Sequence, residues 1–115
     1  LGISQIKKLN NYILHKKKLL KKFKSLTSES KEFNILDEPK NCRSNFWLHT
    51  LILKKSSKQK RNKILKNFHK NKILARPIWK PLHKLKYLKK YPKMNLNNAE
   101  TLENKIINIP SSYYL

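Results

Sequence analysis

The chain has 115 residues and a formal net charge of +22, from 28 Lys and Arg against 6 Asp and Glu. That length allows one small domain or part of a larger one and excludes two ordinary domains. With 38% hydrophobic residues, two Trp, five Tyr and four Phe, it also excludes a disordered polycation.

From Ile3 to Leu26 the apolar positions Ile3, Ile6, Leu9, Ile13, Leu20 and Phe23 recur at helical spacing, with Tyr12, Leu19 and Leu26 widening the stripe. This predicts an amphipathic helix of about six turns. Its lysines crowd the second half, where cations suit the negative end of the helix dipole. Such a helix can lie on anionic lipid, but the later segments offer it a protein surface, so no membrane role is expected. Thr27 to Ser30 form a polar break, and Phe33 to Leu36 read as a short strand closed by Asp37, Glu38 and Pro39.

Asn45 to Leu53 is the best strand signal. Phe46, Leu48, Thr50 and Ile52 fall on one face, and Trp47, His49, Leu51 and Leu53 on the other. Lys54 to Lys60 is a polar connection. Ile64, Leu65 and Phe68 mark the buried side of a second helix, which Asn71 can end in the left-handed conformation.

The stretch from Lys72 to Tyr91, KILARPIWKPLHKLKYLKKY, is unlike either a plain core or a solvated face. Ile73, Leu74 and Ala75 read as a strand entering the interior, and Arg76 brings to its end a permanent cation that, once buried, needs an anionic partner. Pro77 and Pro81 lack amide donors and push their predecessors out of the helical region, so Trp79 and His83 are set on a stiff, irregular turn. Leu96 to Lys105 reads as a third helix with Asn95 as its N-cap, and Ile106, Ile107 and Ile109 as a last strand stopped by Pro110. The order predicts an α+β fold, a small and largely antiparallel sheet packed with helices.

Enzyme constellations are absent from the pattern. The single cysteine, Cys42, cannot form an internal disulfide or a multi-cysteine metal site. No two of His15, His49, His69 and His83 stand at metal-ligand spacing. The acids fall in predicted loops or on solvent faces, and Gly2 is the only glycine, which removes every glycine-rich phosphate loop. No apolar run approaches eighteen residues and no signal peptide is present, so the expected location is the cytoplasm. The chain opens on Leu1 and its only methionine is Met94, which leads to the expectation of a fragment.

The run ILARPIWKPLH, the helix NNAETLEN and the close IINIPSS together resemble the carboxy-terminal domain of the DegT group of sugar-nucleotide aminotransferases, within the fold-type-I PLP enzymes. LGISQIKKLN is similar to the segment leading from their large domain into the small one, and SNFWLHTLIL to the first strong strand of the small domain. RPIWKPLH with NIPSS most resembles members that aminate 4-keto sugar nucleotides on routes to legionaminic-acid-like or bacillosamine-like sugars. The resemblance implies that residues 1–26 are a connecting helix and 27–115 the sheet and helices of the small domain. It further implies a homodimer, a nucleotide sugar and an amino donor, glutamate, as substrates, and PLP held by a large domain through a lysine that no lysine here matches. Arg76, Trp79 and His83 match a segment that approaches the active site and encloses the nucleotide sugar. Lys72 stands where the family often has glycine, so a left-handed backbone there would cost roughly 1 kcal/mol.

The alternative is a small basic domain that binds nucleic acid or the ribosome. Only Arg43, Arg61 and Arg76 among the cations are arginine, whereas bidentate readout of phosphates and bases favours Arg. Phosphate binding also gives no reason for the apolar close IINIPSS or the stiff RPIWKP turn.

Overall fold

A computed structural model describes residues 2–112. Helix α1 spans Gly2–Thr27, followed by strands β1, Phe33–Ile35, and β2, His49–Leu53. Helix α2 covers Lys58–Lys70, strand β3 is Arg76–Pro77, two 3-10 turns occupy Leu82–Lys84 and Lys86–Leu88, and helix α3, Asn97–Glu103, leads into β4, Ile106–Ile109. All pairings are antiparallel, in the order β1-β2-β4-β3. The fold is therefore α+β, with a small antiparallel sheet and helices against it.

Register explains which residues form the core. Pairing sets Leu51 opposite Ile107 and His49 opposite Ile109, with Phe33 facing Leu53 and Ile35 facing Leu51 from β1. Opposed residues share a face, so this one becomes the inner layer. Leu51, Leu53, Leu65, Ala75, Ile107 and Ile109 close into one buried cluster, joined by Phe23 from α1 and Ile64 and Phe68 from α2. Each Leu and Ile of the cluster contributes about 1.5–3 kcal/mol by leaving water. Only the second half of α1 is buried, at Leu19 and Leu20, whereas Ile3 and Ile6 remain over 70% exposed.

Two predicted strands are shorter than their apolar runs. β2 begins at His49 because Ser44 Oγ accepts the Phe46 amide and Asn45 Oδ1 the Trp47 amide, each at 3.0 Å, while Phe46 itself is left-handed at φ 50°. Side-chain acceptors thus replace ladder partners. Ile73 to Ala75 are not a strand but the exit from α2. The left-handed residue there is Lys72 at φ 60°, and Asn71, at φ −91°, is only the cap before it. Lys72 N–H donates to the His69 carbonyl at 2.9 Å and Ile73 N–H to the Phe68 carbonyl at 2.9 Å, a Schellman closure that normally takes glycine. Of the three apolar residues only Ala75 is buried, and the His69 ring donates from Nε2 to its carbonyl at 2.7 Å.

Arg61 is a further departure. It lies on α2 yet is only 7% exposed, its guanidinium donating to the Glu103 carbonyl at the end of α3 and to Asn62 Oδ1. A cation on an amphipathic helix thus becomes the cap of its neighbour.

Candidate functional site

The stiff segment after β3 is built as its prolines dictate. Pro77 pairs with Ile107 on the sheet edge, where a missing amide costs no ladder bond, and Pro81 starts the first 3-10 turn. Arg76 pairs with Asn108 and shares the outer face with Thr50, whose hydroxyl donates to Asn108 Oδ1 at 3.2 Å. The guanidinium of Arg76 is exposed and has no hydrogen-bond or ion-pair partner among the described residues. This corrects the expectation of a buried cation: the run before Arg76 turns out of the helix instead of carrying it inward.

Trp79 is 78% exposed, and its ring meets that of Trp47, itself 62% exposed, at a centroid distance of 6.1 Å and an angle of 55°. His83 is the most enclosed of the three predicted site residues, with a side chain 10% exposed and Nε2 bonded at 2.8 Å to Glu100 Oε1. Its hydrogen bond, then the charge of Lys84, holds the Glu100 carboxyl below the usual range. Lys84 reaches Glu103 at 2.7 Å, and that bond raises its own pKa. The two acids read as solvent-facing are thus the anchors of the turn. A basin of about 520 Å³ opens beside them, lined by Lys80, His83, Lys84, Lys89, Lys93 and Glu100. Four lysines and one carboxylate leave it strongly cationic. Among the described residues no hydrogen bond, ion pair or ring contact joins Arg76, Trp79 and His83 to one another; Lys80, next to Trp79 in the chain, and His83 both line the basin.

Three residues around Trp47 form an arrangement that the sequence pattern does not show. Lys16 donates to the Ser111 carbonyl and, at 3.0 Å, to its hydroxyl, which donates in turn to the Trp47 carbonyl. Burial lowers the Lys16 pKa. Behind them His49 is 1% exposed, edge-on to Phe23 at 5.5 Å, and neither ring nitrogen has a hydrogen-bond partner among the described residues. Desolvation, helped by the charge of Lys16, lowers its pKa from 6.5 to about 4. Among the described residues no three His, Cys, Asp or Glu converge as a metal site, and no helix is long and apolar enough to cross a membrane.

Comparison with solved structures finds the same fold in much longer chains. PseC of Helicobacter pylori, an aminotransferase involved in the biosynthesis of pseudoaminic acid, superposes with a TM-score of 0.88 at 21% identity over 99% of this chain and 31% of its own. GDP-4-keto-6-deoxy-D-mannose-3-dehydratase from E. coli, solved with bound hydrated PLP, gives 0.80 at 25% identity over 97% of this chain and 30% of its own. The putative sugar aminotransferase Spr1654 of Streptococcus pneumoniae, in its PMP form, gives 0.86 at 19% identity over 99% and 29%. The chain thus spans about a third of the length of these proteins. The sequence profile of the DegT/DnrJ/EryC1/StrS aminotransferase family matches all of residues 1–115, and the chain belongs to that family.

Proposed function

We propose that residues 1–115 are the carboxy-terminal small domain of a PLP-dependent aminotransferase that aminates a nucleotide-linked 4-keto sugar for cell-surface polysaccharide synthesis. Residues 1–26 connect this domain to a large cofactor-binding lobe, on which the exposed Ile3 and Ile6 of α1 pack. The residues of this chain do not fit the cofactor. A Cβ built on Gly2 would meet nothing within 4 Å, so the only glycine forms no close cradle, Ser57 already caps α2 by accepting the Lys60 amide, and the Lys16 amine is bound to Ser111. PLP and the lysine that carries it belong to the large lobe, and the enzyme acts as a homodimer with glutamate as amino donor. What this chain contributes is recognition of the nucleotide sugar.

The observation that carries the substrate class is the cationic basin beside the proline turn. A nucleotide diphosphate supplies the anion that four lysines and the free guanidinium of Arg76 favour, and His83, fixed by Glu100, can hydrogen-bond a phosphate or hydroxyl. The basic nucleic-acid reading has no counterpart in the family match.

Alone, the chain is expected to retain no PLP absorbance after dialysis and to show no turnover of a 4-keto sugar nucleotide with glutamate. Joined to its catalytic lobe, Arg76→Ala or His83→Ala is expected to raise the apparent KM for the nucleotide sugar more than for the amino donor. Unchanged kinetics in both variants would remove the turn from the site.

A further inference from the structure

The pair of exposed tryptophans is not explained by the core. Large apolar rings held in water are informative when their backbones are fixed, and both are fixed here. Trp79 stands between Pro77 and Pro81. Trp47 follows Phe46, a buried aromatic residue in the left-handed region at φ 50°, a conformation that costs a residue with a Cβ about 1–2 kcal/mol. Glu38 and Asn45 hold that turn. The Glu38 carboxylate accepts the Ser44 amide at 2.8 Å and Lys17 Nζ at 3.4 Å, and Asn45 Oδ1 accepts the amide of Trp47 itself. From the other side the Ser111 hydroxyl grips the Trp47 carbonyl. Strain kept at one residue and three side chains spent on one turn are the signature of an aimed group.

The aim is toward Trp79. Indole planes meeting at 55° with centroids 6.1 Å apart form a corner, so a flat ring laid on one indole abuts the other. The corner has cations on both sides in the chain: Arg76 precedes Trp79, and Lys80 follows it into the basin. A planar π system joined to phosphates matches an aromatic corner beside a cationic basin. A hexose alone would leave the lysines unused.

We propose that Trp47 and Trp79 form a stacking corner for the nucleobase of a nucleoside diphosphate, its phosphates extending over Lys80 into the basin. This deepens the nucleotide-sugar reading and rests on it. Trp47 becomes a substrate-binding residue, and the left-handed Phe46, Glu38, Asn45 and Ser111 become its positioning residues.

The chain contains no other tryptophan, so its emission reports on this corner alone. UDP and GDP, added to the 115-residue chain with excitation at the red edge, are expected to quench it saturably, and inorganic pyrophosphate is not. Isothermal titration is expected to show Trp47→Ala and Trp79→Ala each weakening UDP by about tenfold, in line with the loss of one base–aromatic stack, with pyrophosphate affinity unchanged. Trp47→Phe, which keeps a face, is expected to stay within about twofold of the parent. Both side chains are exposed, so the variants keep their fold, and circular dichroism checks this. Quenching by pyrophosphate equal to that by UDP, UDP binding without any change in emission, or UDP affinity indifferent to both alanine variants would each overturn the corner. None of these outcomes bears on Arg76 and His83, whose roles are decided by the kinetic asymmetry in the complete enzyme.

Discussion

His49→Leu tests the least comfortable residue of the core. The imidazole is sealed between β2, Phe23 of α1 and Phe46, with Lys16 the nearby charge, and its two nitrogens have no partner among the described residues. It is therefore neutral in the fold, with its pKa down from 6.5 to about 4. The unfolded chain takes up a proton below about 6.5 and the folded chain does not, so the stability tied to His49 is complete above that pH. It is lost as the pH falls toward 4. At about 1.4 kcal/mol per pH unit, the window from 6.5 to 4 removes about 3 kcal/mol. Asp37, Glu38 and Glu100 all have lowered pKa values, so their protonation belongs mainly to more acidic solution. Urea midpoints followed by far-ultraviolet circular dichroism at pH 7.5, 6, 5 and 4 should give a slope in the parent that His49→Leu largely abolishes. At pH 7.5 the leucine variant should be as stable as the parent or about 1–2 kcal/mol more so, since two unpaired buried nitrogens are replaced by carbon of similar volume. An unchanged slope in the variant would refute the argument.

Lys72→Gly should stabilise the chain by about 1 kcal/mol in the same assay, because the residue sits at φ 60° in the Schellman closure of α2; a loss of stability would show that the lysine stem contributes more than its backbone costs. Arg61→Ala should cost about 1–3 kcal/mol, since the Glu103 carbonyl loses its buried charged donor, whereas an ordinary surface lysine such as Lys63, replaced by alanine, should stay within about 0.5 kcal/mol.

Much of the fold was readable from periodicity. The long helix, the helix carrying Leu65 and the Ile106–Ile109 strand lie where their apolar spacing puts them, and alternation placed His49, Leu51 and Leu53 together on the face that became the core. The two strand errors have different causes: short polar side chains replaced ladder partners ahead of β2, and a backbone closure at Lys72 turned the chain out of α2. The signal for the late start of β2 is the Ser44–Asn45 pair, whose side chains accept the next two amides and so open the strand only at His49. Ile73 to Ala75 looked like a strand because the helix-ending signal pointed to Asn71, whereas the left-handed residue is Lys72, the position that the family resemblance marks as often glycine. Of the candidate site, Trp79 stands out between Pro77 and Pro81 and His83 just after them, whereas Trp47 read as one more strand residue. Its exposure depends on Lys16 and Ser111, 95 positions apart, which no local pattern connects.

The strand order carries a consequence for synthesis. β2 finds its widest pairing with β4, so Thr50 waits for Asn108, 58 positions later. While those residues emerge, one edge of β2 has β1 beside it and the other stays open, with Leu51 and Leu53 uncovered. A nascent chain in that state exposes an apolar strand edge, the kind of surface that recruits chaperones or a neighbouring copy. The lysines Lys54 and Lys55 that flank this strand put like charge beside the open edge, which disfavours edge-to-edge pairing of two such chains before β4 closes the sheet.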